Sequence, residues 1–404
     1  MSDTVTSLLA EIADVGTDPQ RGGYSRPVWS TAELELREWF VAKAGDRGLD
    51  VETDRNGIIW AWHVSGRDRS GAVVTGSHLD SVPGGGAFDG PLGVASALVA
   101  FDHLTSRGVA PDRPRAIAVF PEEEGSRFGL ACLGSQLMTG AVTPDRARAL
   151  KDGDGTTFAE VCAKAGLDPA HLGADPAALA RIDTFVELHV EQGRGLVDLD
   201  RPVAVASSIL GHGRWRITVH GEGNHAGATL MADRRDPLVA AAKLVVGIQS
   251  LARETADARA TVGRLIPTPG GTNVIASRVD VWLDVRHPED TVVHALVERI
   301  RRSAGRLAAE EGCTATVVEE SYSPTVDFDP QLREDLAMVL GNAPVLGTGA
   351  GHDAGVLKEH VRTAMLFVRN PTGISHSPNE YIEDADAEAG ALALAAGLEL
   401  LLTR

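Results

Sequence analysis

Residues 71–108 read GAVVTGSHLDSVPGGGAFDGPLGVASALVAFDHLTSRG, and this segment already indicates the class of fold. An apolar, strand-like run leads to His78 and Asp80, a glycine-rich loop carries Asp89, and a helical pattern follows. Apolar strands separated by helical segments recur up to residue 210 and resume near residue 329. This alternation predicts an α/β domain whose mixed sheet is flanked by helices.

The hydropathy pattern changes near residue 211. Residues 211–328 show the order strand, helix, strand, strand, helix, strand, which is the order of a small ferredoxin-like α+β sandwich. We therefore predict a larger catalytic domain built from residues 1–210 and 329–404, interrupted by a smaller domain at residues 211–328. A chain of 404 residues is long enough for two such domains.

Composition and charge exclude several classes of protein. The formal net charge is −18 and no basic run stands out, so neither nucleic acid nor an anionic membrane is an expected partner. No apolar run approaches the roughly 20 residues that span a bilayer. The first residues lack a basic and an apolar signal-peptide region, so the cytoplasm is the expected location. Three widely spaced cysteines argue against a disulfide scaffold or a structural zinc–thiolate site.

Four predicted strands are followed by imidazole or carboxylate side chains. These are His78 with Asp80, the run 122–124 of three glutamates, His189 with Glu191, and His376. In open α/β sheets, ligands bind beyond the carboxyl ends of the strands, so we expect these groups to converge. A single loop histidine is more often a surface residue, and three glutamates are more often a solvated charge run. The repetition at four strand ends favours a functional site.

Such a cluster needs a cation, because two neutral imidazoles and several carboxylates are costly to bury together. Mixed nitrogen and oxygen ligands suit zinc, manganese, cobalt or nickel. A carboxylate such as that of Asp89 can bridge two ions about 3.5–4 Å apart, the spacing used in hydrolysis. The neighbouring glycines would let the backbone approach the ions, although turn geometry alone explains two or three of them.

Seven segments, in order along nearly the whole chain, resemble the hydantoinase/carbamoylase branch of the M20 dinuclear metallopeptidase family. They are GSHLDSVPGGGAFDGPLGV, EEEGSRFG, HVEQG, HAGAT, GGTNVI, DVRH and GISHSPNEY. The branch includes N-carbamoyl-L-amino acid hydrolases, allantoate amidohydrolases and β-ureidopropionases. Together these motifs are highly specific, and EEEGSRFG and GISHSP are the most persuasive singly.

The resemblance implies two divalent ions per subunit. The implied ligands are His78, Asp89, Glu124, His189 and His376, with Asp89 as the bridge. Glu123 is the implied general base, which takes a proton from the attacking water. Asp80 is expected to accept the imidazole N–H of His78 and so to fix the orientation of that ring.

The resemblance also assigns substrate contacts. His225 is expected to stabilise the oxyanion, in its own or the partner subunit's site, and Gln192 to contact the substrate amide. His352 is a further candidate for a substrate contact. An N-terminal capping role for Asp353 is an equally good explanation of the GHDAG segment.

Asn273 and Arg286 match the residues that hold the substrate carboxylate in the family. Arginine suits this role because its guanidinium binds a carboxylate through two parallel hydrogen bonds. Without the resemblance, a surface salt bridge from Arg286 to Asp284 or Glu289 is the better explanation.

The predicted enzyme hydrolyses the linear C–N amide bond of an N-carbamoyl (ureido) L-amino acid to the amino acid, carbon dioxide and ammonia. Its predicted partners are a small anionic substrate and a second copy, in a homodimer formed through residues 211–328, which would also act as a lid. The alternatives are an allantoate amidohydrolase, an N-acyl amino acid deacylase or peptidase, and an inactive metal- or ligand-binding protein, against which Glu123 argues. Departures from the family pattern at Leu230, Gly84 and Gly355 leave the substrate open.

Overall fold

The computed structural model describes residues 3–63, 68–109 and 113–404. The chain forms two compact units. Unit 1 consists of Met1–Ser207 and Asp327–Arg404, and unit 2 of Ser208–Val326. The sequence analysis places the corresponding boundaries after residues 210 and 328.

The helices of the described residues are α1 (Val5–Glu11), α2 (Thr31–Asp46), α3 (Pro91–Ser106), α4 (Leu133–Thr139), α5 (Pro144–Ala149), α6 (Phe158–Lys164), α7 (Pro176–Leu179), α8 (Gly195–Asp198), α9 (Pro237–Arg253), α10 (Asp290–Glu310), α11 (Pro330–Val339), α12 (Asp353–Leu357) and α13 (Asp384–Leu402). The strands are β1 (Asp50–Thr53), β2 (Ile59–His63), β3 (Ala72–His78), β4 (Arg115–Phe120), β5 (Ile182–Val190), β6 (Val203–Ile209), β7 (Gly211–His220), β8 (Asn224–His225), β9 (Arg259–Thr268), β10 (Val274–Ile275), β11 (Arg278–His287), β12 (Thr314–Ser323), β13 (Val326–Asp327), β14 (Val345–Thr348) and β15 (Arg362–Val368). The apolar, strand-like run at residues 57–64 contains β2, and its last residue, Val64, lies outside the described residues.

The large sheet has the strand order β1-β2-β4-β3-β5-β15-β6-β13, with β14 paired to β6. The four central strands are parallel to one another; they are β4, β3, β5 and β15. The pairs β1–β2, β2–β4 and β15–β6 are antiparallel. The predicted large mixed sheet flanked by helices is confirmed.

The central strands are buried along their whole length, which explains their continuous apolar runs. Every residue of β3 and β4 is buried. Strands need helices on both faces to be buried in this way. Helices α3 and α13 pack against each other and against the central strands, and α12 packs against β5 and β15. Because β3, β5 and β15 are parallel, the side chains after their carboxyl ends meet at one edge of the sheet.

The loop between β3 and α3 returns the chain directly to the end of β3. Gly90 precedes α3 with a φ of +87°, in the left-handed region that favours glycine. A Cβ at this position would lie 2.6 Å from the His78 ring. Only a residue without a side chain lets the start of α3 approach His78 so closely.

Unit 2 contains a four-stranded antiparallel sheet in the order β12-β7-β11-β9, and α9 and α10 pack against each other and against this sheet. Strand β7 alternates: Trp215, Ile217 and Val219 are buried, whereas Arg214 and Arg216 are exposed. Such alternation is typical of a strand with one face on a core and the other in solvent, because successive side chains point to opposite faces. The role of the unit as a lid or dimerisation domain remains a prediction.

No helix among the described residues combines the length and the apolar character needed to cross a lipid bilayer.

Candidate metal centre

Two buried imidazoles face each other at the carboxyl ends of β3 and β5. The Nε2 atoms of His78 and His189 lie 3.5 Å apart. Each Nδ1 lies 3.0 Å from a carbonyl oxygen, that of Asp80 for His78 and that of Val190 for His189. A carbonyl oxygen only accepts, so each Nδ1 carries the hydrogen and each Nε2 presents a lone pair to the other ring.

Asp89 completes this first group of possible ligands. Its Oδ1 lies 3.2 Å from Nε2 of His189 and 3.5 Å from Nε2 of His78. The three acceptor atoms are all within 4.8 Å of one another. Three lone pairs gathered in a buried space repel one another unless a cation lies between them, and this donor set is one that binds divalent metals.

The other oxygen of Asp89 belongs to a second group. Oδ2 lies 3.4 Å from Nε2 of His376, and the same Nε2 lies 3.4 Å from Oε2 of Glu124. Asp89, Glu124 and His376 form the second cluster of atoms within 4.8 Å of one another. The structure thus brings all five predicted ligands together, and each oxygen of Asp89 faces a different pair of side chains.

Burial shapes the charges at this site. Burial raises the pKa of Asp89, but the adjacent His189 and His78 lower it more strongly and hold it well below the usual range, so this carboxylate is ionised. Burial raises the pKa of Glu123 well above its ordinary value, helped by Asp353 and opposed by His78. Oε2 of Glu123 lies 3.6 Å from Nε2 of His78. A carboxyl that can take up and hold a proton therefore lies beside the first ligand group.

Asp80 contacts different atoms from those expected. Its carboxylate lies 3.6 Å from Nδ1 of His78, whereas its backbone carbonyl accepts the imidazole N–H. The carboxylate instead accepts the backbone N–H groups of Glu123 at 3.2 Å and Glu124 at 3.1 Å. The peptide geometry of Asp80 orients the ring, and its side chain holds the loop that carries both glutamates.

His352 is buried against the first ligand group. Its ring centroid lies 4.4 Å from that of His189, and its Nδ1 lies 3.7 Å from Oε1 of Glu123. Neither ring nitrogen makes a hydrogen bond to the described part of the chain. Burial, together with the neighbouring His189, lowers the pKa of His352 well below the ordinary value, so this ring is neutral. Two uncommitted nitrogens suit a substrate contact.

The alternative role considered for Asp353, capping a helix, is wrong. Asp353 is the first residue of α12, and His352 occupies the N-cap position without a side-chain bond. The Asp353 carboxylate is fully buried and accepts a hydrogen bond from the Ser135 hydroxyl. It is part of a buried polar cluster behind His352.

Gln192 contacts the ligand groups themselves. Its Nε2 lies 3.0 Å from Oδ2 of Asp89, 3.1 Å from Oγ of Ser375 and 3.4 Å from Nε2 of His376. Its Oε1 is buried and has no partner among the described residues. The amide therefore lies where it can reach both the second ligand group and a bound molecule.

Two other acids that follow the predicted strands have structural roles. Glu122 accepts the backbone N–H groups of Arg127 and Phe128, and burial together with the charge of Asp80 raises its pKa to about 8. Glu191 accepts the backbone N–H groups at the start of α8. Both carboxylates fix loops around the site.

Sequence reasoning missed Glu380 and Ser375. Both lie within the segment GISHSPNEY, but the sequence does not show which loop these side chains reach. Glu380 is buried against the loop of Asp89, and burial, followed by the charge of Asp89, raises its pKa to about 7. Ser375 Oγ lies 3.2 Å from Oδ2 of Asp89.

Unit 2 presents His225 at its surface. Nδ1 of His225 accepts the backbone N–H groups of Gly227 at 3.0 Å and Ala228 at 3.1 Å. Its hydrogen is therefore on the exposed Nε2, which is the arrangement an oxyanion donor needs. Arg234, which sequence reasoning also missed, donates to the carbonyls of Ala226 and Thr229 and holds this turn in place.

The two predicted carboxylate contacts are both in unit 2. The carbonyl of Asn273 accepts the N–H of Ala226 at 3.0 Å, next to the pairing of His225 with Val274. Arg286 donates to both oxygens of Asp284, at 2.8 and 3.0 Å. The salt bridge considered in the sequence analysis is therefore present.

The sequence of the chain matches known proteins over nearly its whole length. The family model described as peptidase family M20/M25/M40 matches residues 74–399. The chain belongs to this family. The predicted resemblance is thereby confirmed, and within the M20 family the chain is a hydrolase of C–N amide bonds. Enzymes of the family use divalent metal ions, in agreement with the two ligand clusters.

Three M20 relatives illustrate the similarity. An N-carbamoyl-L-amino acid amidohydrolase of Geobacillus stearothermophilus is 35% identical, covering 95% of this chain and 94% of the relative. An allantoate amidohydrolase of Bacillus subtilis (strain 168) is 30% identical, covering 98% and 96%. The crystal structure of a hydantoinase/carbamoylase family amidase from Burkholderia multivorans superimposes with a TM-score of 0.87 at 30% identity, covering 99% of this chain and 97% of that one.

Proposed function

We propose that this M20 enzyme hydrolyses N-carbamoyl (ureido) L-amino acids with two divalent ions that share Asp89. The observation that carries the proposal is the position of Asp89, whose Oδ1 faces His78 and His189 while its Oδ2 faces His376. A carboxylate with a different ligand group at each oxygen is suited to bridging two ions. The proposed ions are zinc, manganese, cobalt or nickel, because the donors are imidazole and carboxylate.

When bound, the ions would polarise the ureido carbonyl and lower the pKa of the attacking water. Glu123 then takes a proton from this water as its oxygen attacks the carbonyl carbon. The same carboxyl returns the proton to the amino acid nitrogen as the C–N bond breaks. The products are the free amino acid and carbamate, and carbamate decomposes to carbon dioxide and ammonia.

The remaining proposed residues hold the substrate. His225 donates its Nε2 hydrogen to the oxyanion, supplied from the same subunit or from the partner subunit. Asn273 and Arg286 bind the carboxylate of the amino acid, and the charge of the guanidinium explains why an anionic substrate is required. Gln192 and His352 contact the ureido group, since both have buried polar atoms without partners among the described residues.

Allantoate is the second candidate substrate, because the Bacillus subtilis relative is an allantoate amidohydrolase. Allantoate also carries ureido groups and a carboxylate, so the same groups would serve it. The two candidates differ in the atoms next to the carboxylate, and the departures from the family pattern at Leu230, Gly84 and Gly355 leave the choice between them open.

We also propose a homodimer formed through residues 211–328. Strand β9 lies at an edge of the unit 2 sheet, and an open edge can pair with a second chain. The adjacent helix α9 exposes Val239 at 41% and Val246 at 65%. Sedimentation equilibrium would give twice the chain mass for a dimer and the single mass if the proposal is wrong.

A substrate panel tests the proposed function. Metal-free protein is reloaded separately with zinc, manganese, cobalt or nickel and given N-carbamoyl-L- and D-amino acids, allantoate, β-ureidopropionate and dipeptides. Ammonia release from the N-carbamoyl-L-amino acids is the expected result. Preferred release from allantoate would favour the second candidate. Dipeptide cleavage without ammonia release would replace the proposal by a peptidase function.

A further inference from the structure

Glu380 joins two distant parts of the chain at the metal centre. It follows His376 by four residues and is 5% exposed. Its Oε1 accepts the backbone N–H groups of Phe88 and Asp89, each at 3.0 Å. Hydrogen bonds to a carboxylate are about twice as strong as those between neutral groups. One oxygen of Glu380 therefore holds the loop of Asp89, although the two residues are 291 positions apart.

The second oxygen of Glu380 reaches the Asp89 side chain through Ser375. Oε2 accepts from Oγ of Ser375 at 3.0 Å, and the same Oγ lies 3.2 Å from Oδ2 of Asp89. Nε2 of Gln192 donates to this hydroxyl at 3.1 Å. The backbone and the side chain of Asp89 are thus held by one connected set of hydrogen bonds.

The space around Glu380 gives an independent sign of this contact. A Cβ at Gly86 would lie 2.2 Å from Oε1 and 2.6 Å from Cβ of Glu380. The loop backbone therefore rests directly on the Glu380 side chain, and only glycine fits between them. This close packing restricts the rotation of the loop that carries Asp89.

We propose that Glu380 is a positioning residue that sets Asp89 to face both ligand groups at once. Without it, the Asp89 loop would turn and Oδ2 would leave His376 and Glu124. Binding of the ion held by Asp89, Glu124 and His376 would then be weakened more than binding of the ion held by His78, His189 and Asp89. The inference rests on the proposed function only in assuming that two ions share Asp89.

Titration of metal-free protein with Mn²⁺ tests the proposal by calorimetry and by electron paramagnetic resonance. The wild-type protein is expected to bind two ions and to show the signal of a coupled pair. In Glu380→Ala, one ion should bind with wild-type affinity and the other about 10- to 100-fold more weakly, as when groups that orient metal ligands are removed. Glu380→Gln should lose less affinity for the second ion, because the amide oxygen of glutamine can still accept the N–H groups of Phe88 and Asp89.

Asp54→Asn is the matched control for Glu380→Gln. Oδ1 of Asp54 accepts two backbone N–H groups, those of Asn56 at 2.9 Å and Ile58 at 3.0 Å, and Oδ2 accepts the indole N–H of Trp60. This carboxylate holds a turn and contacts none of the five proposed ligands, so both ions should bind as in the wild type. Gly86→Ala, in contrast, should weaken binding of the second ion as Glu380→Ala does, because the added methyl group displaces the Glu380 carboxylate.

A folded Glu380→Ala protein that binds both Mn²⁺ ions with wild-type affinity would overturn the inference. If that variant does not fold, unchanged binding by Gly86→Ala overturns it. Wild-type protein that binds two ions but cleaves no ureido substrate refutes the proposed substrate alone and leaves the role of Glu380 to be decided by the titration.

Discussion

At the residue scale, the adjacent glutamates Glu123 and Glu124 contact different histidines. Glu124 reaches His376 at 3.4 Å, whereas Glu123 lies 3.6 Å from His78. The carboxylate of Asp80 accepts the backbone N–H groups of both glutamates, so a single side chain fixes the backbone from which they extend. The proposed division between metal ligand and general base therefore depends on the conformation of one short loop.

Glu123→Gln should lower turnover by about 10²- to 10⁴-fold, because an amide cannot take the proton of the attacking water. Metal content, measured by atomic emission, should stay at the wild-type value. Glu122→Gln is the matched control. The Glu122 carboxyl has a pKa of about 8 and is already neutral at pH 7, so a neutral amide in its place should leave turnover unchanged. Equal turnover of Glu123→Gln and the wild type would remove Glu123 from the mechanism.

Arg286→Lys should raise KM for an N-carbamoyl amino acid by about 10- to 100-fold, because lysine keeps the charge but loses the paired hydrogen bonds. Arg278→Lys is the control on the same strand, since Arg278 pairs with Asp280 at 3.1 Å in a similar arrangement. Steady-state kinetics should show KM unchanged in this control. A similar KM for all three proteins would exclude Arg286 from carboxylate binding.

At the element scale, helix α3 begins in close contact with the strands that carry both imidazoles. A Cβ at Gly93 would lie 2.3 Å from the Leu188 carbonyl and 2.7 Å from Cβ of Ser77. These residues directly precede His189 and His78. The first turn of α3 therefore sets the spacing of β3 and β5 where their histidines face each other.

Gly93→Ala should destabilise unit 1 by about 1–3 kcal/mol, the usual cost of overpacking a core. This loss outweighs the better helix propensity of alanine, which is worth about 1 kcal/mol. Gly45→Ala in α2 is the control, because no atom lies within 4 Å of the added methyl. Its free energy of unfolding in urea should equal that of the wild type or exceed it by up to about 1 kcal/mol, because only the helix propensity changes. Equal stability of both variants would contradict the close contact.

The loop around Asp18 packs beside the glycines that precede Asp89. Asp18 accepts from the Ser25 hydroxyl and from the Arg21 backbone, and these bonds lower its pKa from 3.8 to about 2. Oγ of Ser25 in turn accepts the N–H of Gly84 at 3.2 Å. An ionised Asp18 thus supports the loop that leads to the metal centre.

Asp18→Asn should lower the free energy of unfolding at neutral pH. Because the folded pKa lies below the unfolded one, this contribution is complete above about pH 4 and disappears as the pH falls towards about 2. Urea unfolding at several pH values should therefore show a difference between the two proteins that shrinks in acid. A difference in the free energy of unfolding that does not change with pH would show that the effect comes from the shape of the side chain and not from the charge of Asp18.

For the whole molecule, the metal centre links both chain segments of unit 1. Its five proposed ligands extend from residue 78 to residue 376 and all lie in that unit. An ion that binds the folded unit but not the unfolded chain stabilises the folded state by mass action.

Mn²⁺ at about 100 times its dissociation constant should add about 2.7 kcal/mol to the free energy of unfolding of unit 1 for each ion that binds. Scanning calorimetry with and without a chelator measures the effect. His189→Ala should reduce the shift, and His171→Ala, at an exposed histidine with a side chain 74% accessible, should keep it. An equal gain in stability from Mn²⁺ in both variants would show that the ion does not bind at His189.

The amino-acid sequence alone predicted the mixed α/β class and a cluster of imidazoles and carboxylates at the strand ends, and the family resemblance singled out the five candidate ligands among them. Parallel strands bring their carboxyl ends to one edge, so His78 and His189 can be placed together from strand patterns alone. The tertiary structure decided which atoms meet: the carbonyl of Asp80 rather than its carboxylate on His78, and the carboxylate of Glu380 on the Asp89 loop. The first contact depends on the path of the loop that follows β3, and the second on packing between segments 291 residues apart, so the hydropathy pattern encodes neither.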